Sequence, residues 1–206
     1  MKIINKVISE DSKRKNSYLV ELENGQEFLI CDEDYFSEQI YASEDIDPSV
    51  LKRLSEKLLV KNALGYAIKF LILKTRSIGE MKKRLMSQGY EEGIIEKAID
   101  YLVENNYLND QVFAEAFSRH LSKSKKLSRK QIVYELKHKG VSEEVINDTV
   151  ENNTSSDIDN AKEIILRKFK TYNLEDLKLK SKISKYLMGK GYSYDIIREV
   201  LRIDAD

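Results

Sequence analysis

The residues best suited to chemistry in this 206-residue chain are cations, and they are clustered. Residues 118–140, SRHLSKSKKLSRKQIVYELKHKG, hold eight Lys or Arg and a single acid, Glu135. Read on a helix, Lys130, Tyr134 and Lys137 fall at i, i+4 and i+7, opposite a face carrying Ile132 and Leu136. Ammonium groups around an aromatic ring suit phosphate contacts and base stacking on a single nucleic-acid strand. An ordinary solvated helix face has the same composition, so one helix does not decide between the two readings.

Two further segments bear on that choice. Residues 74–89 hold Lys74, Arg76, Lys82, Lys83 and Arg84 against Glu80 alone, and residues 161–190 hold nine basic residues against three acids. Residues 17–50 are the opposite, with ten acids and no Lys or Arg. The formal net charge of zero therefore hides a strong segregation of charge. The expected phosphate contacts are Lys123, Lys125, Lys126, Arg129, Lys130 and Lys137 with Tyr134 among them, supported by Arg76, Lys83 and Lys185.

Catalysis has little support. The lone Cys31 excludes an internal disulfide and a Cys-built zinc site, and His120 and His138 lack a triad or metal-ligand pattern. Gly189-x-Gly191 sits where a helix ends and is explained by capping rather than by a phosphate loop. The expectation is a protein that is not an enzyme and has no catalytic residues, metal or cofactor. No apolar run approaches the roughly 18 residues of a membrane span, and the N-terminus does not read as a signal peptide. A cytoplasmic monomer with no membrane partner is expected.

The elements that must position the cations repeat. SIGEMKKRLMSQGYEEGIIEKAI, SRKQIVYELKHKGVSEEVINDTV and KSKISKYLMGKGYSYDIIREVL align on Gly89, Gly140 and Gly191, at equal spacing. Met81, Ile132 and Ile183 share one register, and Leu85, Leu136 and Leu187 another. After the glycine, Ile94, Val145 and Ile196 match, as do the pairs that follow, ending on Ile99, Val150 and Leu201. Ser77 with Glu80, and Ser128 with Gln131, read as capping boxes that open a helix. Each glycine then takes the left-handed C′ position, with the preceding leucine as C3 and Tyr90, Val141 or Tyr192 as C″ of a Schellman motif. A second helix follows, with Ser142 and Ser193 as N-caps in the later copies. The third copy has Leu179 in the serine register, so its middle helix is expected to begin near Asn173, with Asp176 at N3.

With a longer helix upstream, each unit has three helices. The expected divisions are a β-hairpin region over 1–47, a connecting helix over 48–62, and repeats over 63–108, 109–154 and 155–206. In the first region, SYLVELENGQEFLICD predicts two strands joined at Asn24-Gly25 by a type I′ turn, and KIINKVIS offers a third strand. The acidic helices after the first two glycines argue against major-groove readout of the helix-turn-helix kind; Arg198 and Arg202 leave it open for the third copy.

Arg76-Ser77-x-x-Glu80-Met81-x-x-x-Leu85-x-x-x-Gly89 resembles the first signature of the RecX family. Tyr107-Leu108-Asn109-Asp110-x-x-Phe113-Ala114 resembles the stretch that follows it, and Ile132-x-x-Glu135-Leu136-x-x-Lys139-Gly140-Val141 the signature of its second repeat. Where the family often has Gly-Pro before that repeat's middle helix, this chain has Leu127-Ser128. The resemblance implies a mainly α protein of three tandem three-helix repeats, elongated and curved. It also implies a partner, the RecA recombinase filament on single-stranded DNA, whose strand exchange and ATP hydrolysis are restrained, with some non-specific DNA affinity. The alternative is a non-specific DNA-binding repeat protein that acts without a recombinase.

Overall fold

The computed structural model describes residues 1–9, 17–153, 156–169 and 176–203. They fall into two compact units, Met1–Lys74 with Lys82–Tyr107 and Thr75–Met81 with Leu108–Asp206.

The first unit opens with an antiparallel sheet of β1 (Ile3–Ile8), β2 (Ser17–Leu22) and β3 (Glu27–Cys31), in that spatial order. KIINKVIS does supply the third strand, pairing Lys6 with Val20. The turn differs from expectation. Leu22 and Gln26 flank a three-residue loop, with the Gly25 amide bonded to the Leu22 carbonyl at 2.9 Å. Only Gly25 is left-handed (φ 78°); Asn24 is not, and its side chain accepts from the Gln26 amide at 3.1 Å. This is a type I turn with a glycine bulge, because the register places one more residue in the loop than a type I′ turn allows.

α1 (Asp32–Ser37) leads to α2 (Pro48–Leu73), which Asp47 caps by accepting from the Ser49 amide at 2.9 Å while Pro48 supplies the first helical φ. Val20, Leu22 and Ile30 of the sheet close a core with Tyr35, Ile40, Leu51 and Leu54. α2 runs unbroken across residues 62 and 63 for 26 residues, so the connecting helix and the first helix of the first repeat are one rod. α3 (Ile78–Met86) and α4 (Glu92–Glu104) complete that repeat.

The second unit holds α5 (Asp110–Lys123), α6 (Arg129–His138), α7 (Glu143–Asn153), α8 (Asp157–Lys168), α9 (Leu177–Met188) and α10 (Tyr194–Ile203). The repeat register is a core register: Met81, Ile132 and Ile183, and Leu85, Leu136 and Leu187, are all fully buried. Each such leucine stabilises the fold by roughly 1.5–3 kcal/mol through burial.

Every middle helix ends as its glycine requires. Gly89, Gly140 and Gly191 have φ of 84°, 77° and 87°. The amides of Tyr90, Val141 and Tyr192 reach the carbonyls of Leu85, Leu136 and Leu187 at 3.4, 3.2 and 3.2 Å, the long bond of a Schellman motif. Ser142 and Ser193 cap α7 and α10 as expected. In the third copy Asp176 is the N-cap of α9, accepting from the Lys178 amide at 2.8 Å, rather than N3; Asn173 lies outside the described residues. The aspartate cap starts the helix later than expected from Asn173, and three residues before Leu179, the position in register with Ser77 and Ser128.

Candidate nucleic-acid interface

The last residue of α5 and the α5–α6 connection carry the cations at 123–126, and the third repeat sets the shape of that connection. Lys126 is left-handed (φ 51°), a conformation costing a side-chain-bearing residue about 1–2 kcal/mol. Its carbonyl accepts from the Tyr192 hydroxyl at 2.9 Å, and its ammonium reaches Glu163 at 2.6 Å and Asn160 at 3.4 Å. Lys190 donates to the Lys125 carbonyl at 2.5 Å, and Asn160 donates to the buried Ser122 hydroxyl at 3.3 Å. Burial, with Asp157 and Glu163 nearby, pushes the Tyr192 hydroxyl far above its ordinary range, so it stays a donor. The Lys126 bond is the main reason the Glu163 carboxyl lies below its usual value.

The cations expected to meet phosphate are thus not equivalent. Lys123, Lys125, Lys130 and Lys185 are exposed, and their ammonium groups have no carboxylate partner among the described residues. Tyr134 is 63% exposed on α6, on the side away from the buried Ile132 and Leu136. Lys137 shares that helix and pairs with Glu143 at 2.6 Å, in the open. Arg129 is exposed, and its amide is held by Asp157. Lys126 is engaged with Glu163, and Arg76 lies 3.8 Å from Glu80 with most of its side chain covered. Lys83 is exposed in the first unit. The side chain of Arg202 lies outside the described residues.

Within the second unit, two joints of one design were missed by reading the sequence. At the first, the Ser77 hydroxyl donates to the Lys139 carbonyl at 2.6 Å, and Asp110 accepts from the Ile78 amide at 2.8 Å. At the second, the Ser128 amide donates to the Lys190 carbonyl at 3.1 Å, and Asp157 accepts from the Arg129 amide at 2.9 Å. Burial raises the carboxyls of Asp110 and Asp157 above their ordinary value, although the amide bonds oppose this. The second serine is therefore only half a capping box. It receives the Gln131 amide at 3.2 Å, but its own N–H is already committed to Lys190. Ser77 keeps both arms. The available signal was an aspartate opening the first helix of copies two and three.

The first joint is also charged and tight. Glu80 lies 2.6 Å from Lys139; burial works against its charge, yet Lys139, the Ser77 amide and Arg76 together hold its carboxyl below the usual value. A Cβ on Gly79 would lie 2.7 Å from the Lys139 carbonyl oxygen and 2.8 Å from the Gly140 Cα.

A chain built this way is a tandem three-helix-repeat protein, with cations on its connections and a small sheet ahead of its first repeat. Three family models match it in order: the first, second and third RecX three-helix domains, over residues 63–102, 109–150 and 155–201. Regulatory protein RecX of Clostridium botulinum is 32% identical over 197 residues, covering 92% of this chain and 91% of the relative. That of Clostridium tetani is 28% identical over 204 residues, covering 96% and 94%. The chain belongs to the RecX family of regulatory proteins. A crystal structure of regulatory protein RecX superposes with a TM-score of 0.64 at 18% identity, covering 97% of this chain and 98% of the other. RecX from Lactobacillus salivarius superposes with a TM-score of 0.59 at 22% identity, covering 70% and 95%. Those two agree in fold.

The family's signatures gain a physical meaning here. Arg76-Ser77-x-x-Glu80 and Lys139-Gly140 are the two sides of the first joint. In the stretch between them, Asn109 caps α5 through the Val112 amide at 3.1 Å, Asp110 holds Ile78, and Leu108, Phe113 and Ala114 are buried. No described helix is long and apolar enough to cross a membrane.

Proposed function

We propose that this chain binds the RecA recombinase filament on single-stranded DNA and restrains its strand exchange and ATP hydrolysis. It meets strand phosphates through the α5–α6 connection and the outer face of α6, and acts in the cytoplasm as a monomer without a cofactor. The observation that supports this best is the company of Lys123, Lys125 and Lys130. They are exposed and carry no carboxylate partner among the described residues, and Tyr134, one turn along α6 from Lys130, offers an exposed ring, in a chain of the RecX family. Such groups bind phosphate with strong salt dependence and little sequence preference.

The test is ATP hydrolysis by the cognate recombinase on single-stranded DNA, with this protein titrated in. Inhibition at substoichiometric amounts, unchanged by competitor DNA added after filament assembly, supports the reading. No effect at excess protein refutes it. Loss of the effect to competitor DNA leaves a non-specific DNA-binding protein that acts without the recombinase. Reversing Lys123, Lys125 and Lys130 to Glu should weaken binding to the DNA-loaded filament far more than to free recombinase. The salt slope should fall by about two, at ~0.7 per strand phosphate.

A further inference from the structure

Beside the α5–α6 connection the molecule has an open groove of about 200 Å³ whose walls come from the second and third repeats. Among the described residues six cations line it: Lys123, Lys125, Lys126, Arg167, Lys168 and Lys190. Glu163, the one carboxylate among those described lining residues, is held by Lys126 at 2.6 Å and by Arg167 at 2.9 Å. Four lysines are left without a carboxylate among the described residues. Two of them are pre-ordered by the ring of Tyr186, with the Lys168 ammonium 3.8 Å and the Lys190 ammonium 5.5 Å from its centroid. The backbone oxygens that would repel an anion are turned aside, since Lys125 and Lys126 offer their carbonyls to Lys190 and Tyr192.

We propose that this groove binds a compact polyphosphate, of the chemical class of a nucleoside triphosphate or an inorganic phosphate chain. Lysine ammonium groups act as point charges that suit phosphate, whereas planar carboxylates favour the forked guanidinium, and Arg167 is the one guanidinium among the described lining residues. Charge density separates a polyphosphate from a nucleic-acid strand. A strand carries one charge per roughly 3.4 Å, whereas anhydride-linked phosphates with a doubly ionised end group concentrate several charges over a similar length. Four unneutralised cations around a concave space focus their field on such an anion. Because Lys123 and Lys125 come from one repeat and Lys168 and Lys190 from the next, the bound anion ties the two together. The site shares Lys123 and Lys125 with the proposed strand contact but does not depend on a recombinase.

The experiment is calorimetric titration of the full chain at fixed ionic strength, with tripolyphosphate, ATP without magnesium, sulfate and a short oligonucleotide lacking a 5′-phosphate. Tripolyphosphate should bind one to one, at least about tenfold more tightly than sulfate. Lys125→Gln and Lys168→Gln, both at exposed positions, should each weaken it about tenfold. Lys69→Gln, an equal charge change on α2, should leave it unaltered. ATP binding more tightly than tripolyphosphate would make a nucleotide the ligand, and equal binding would make the phosphate chain sufficient. Binding no tighter than sulfate, or insensitive to both groove variants, overturns the proposal. So does oligonucleotide binding that needs Lys125 and Lys168 when tripolyphosphate does not bind, which assigns the groove to strand backbone. The recombinase assay above can fail without touching this result.

Discussion

At the first joint of the second unit Glu80 sits between Arg76 and Lys139, while at the second joint its register partner is the neutral Gln131. Both joints keep the serine–carbonyl and aspartate–amide bonds. What changes is the lysine before the glycine. Lys139 is drawn to Glu80, whereas Lys190, with no carboxylate to meet there, turns to the Lys125 carbonyl and the ring of Tyr186. One substitution of charge for amide thus separates a joint that neutralises its own cation from one that hands its cation to a groove.

That contrast can be broken most severely at Gly79. Replacing a helical glycine by alanine usually stabilises, but at Gly79 the added methyl would meet backbone on both near contacts. Gly79→Ala is expected to destabilise by roughly 1–3 kcal/mol in urea titration, the cost of overpacking. Glu80→Gln makes the first joint resemble the second and is expected to cost about 1–2 kcal/mol, between exposed and fully buried pairs. Because the Glu80 carboxyl is depressed in the fold, its contribution is present above its ordinary value of 4.5 and is lost as pH falls through the lower folded value. The stability difference between wild type and Glu80→Gln should therefore vanish in acid; a difference that persists at pH 2 would contradict the pairing.

Asp110 has the opposite sign. Its raised carboxyl means that the charged form is disfavoured in the fold, so its contribution worsens as pH rises through its folded value. Asp110→Asn keeps an acceptor for the Ile78 amide and should be neutral or stabilising at pH 7. Asp110→Ala leaves that amide without it and should cost about 1 kcal/mol. Equal losses in both would show that the charge, not the acceptor, matters. The smallest effect is the control for Gly79: Gly93 in α4 has open space where a Cβ would go, and Gly93→Ala should raise stability by roughly 0.5–1 kcal/mol.

Local features were readable in advance and distant ones were not. The Schellman ends at Gly89, Gly140 and Gly191 depend on residues within one turn of each other, and the matched apolar positions are the buried ones. The type I′ turn failed because loop length is set by strand register, and Gln26 pairs back across to Leu22. The Ser128 box failed because its N–H is claimed by Lys190, far along the chain. Among the basic residues, sequence spacing placed Lys130 and Tyr134 on an open face but gave no sign that Glu163 engages Lys126 or Glu143 engages Lys137. Ion pairing between side chains of different helices is invisible to periodicity.

The Leu179 that interrupts the serine register takes on a different character in this light. It is buried in the third repeat's core with Ile183 and Leu187, where Ser77 and Ser128 present polar atoms to a following repeat. The two halves of each joint are chemically unlike, donors on one side and a carbonyl with a carboxylate on the other, so the array has a direction. Leu179 lies inside α9, capped three residues earlier by Asp176, and its side chain faces the repeat's own core, so the hydroxyl bond that Ser77 makes to the Lys139 carbonyl has no counterpart at this register of the third repeat.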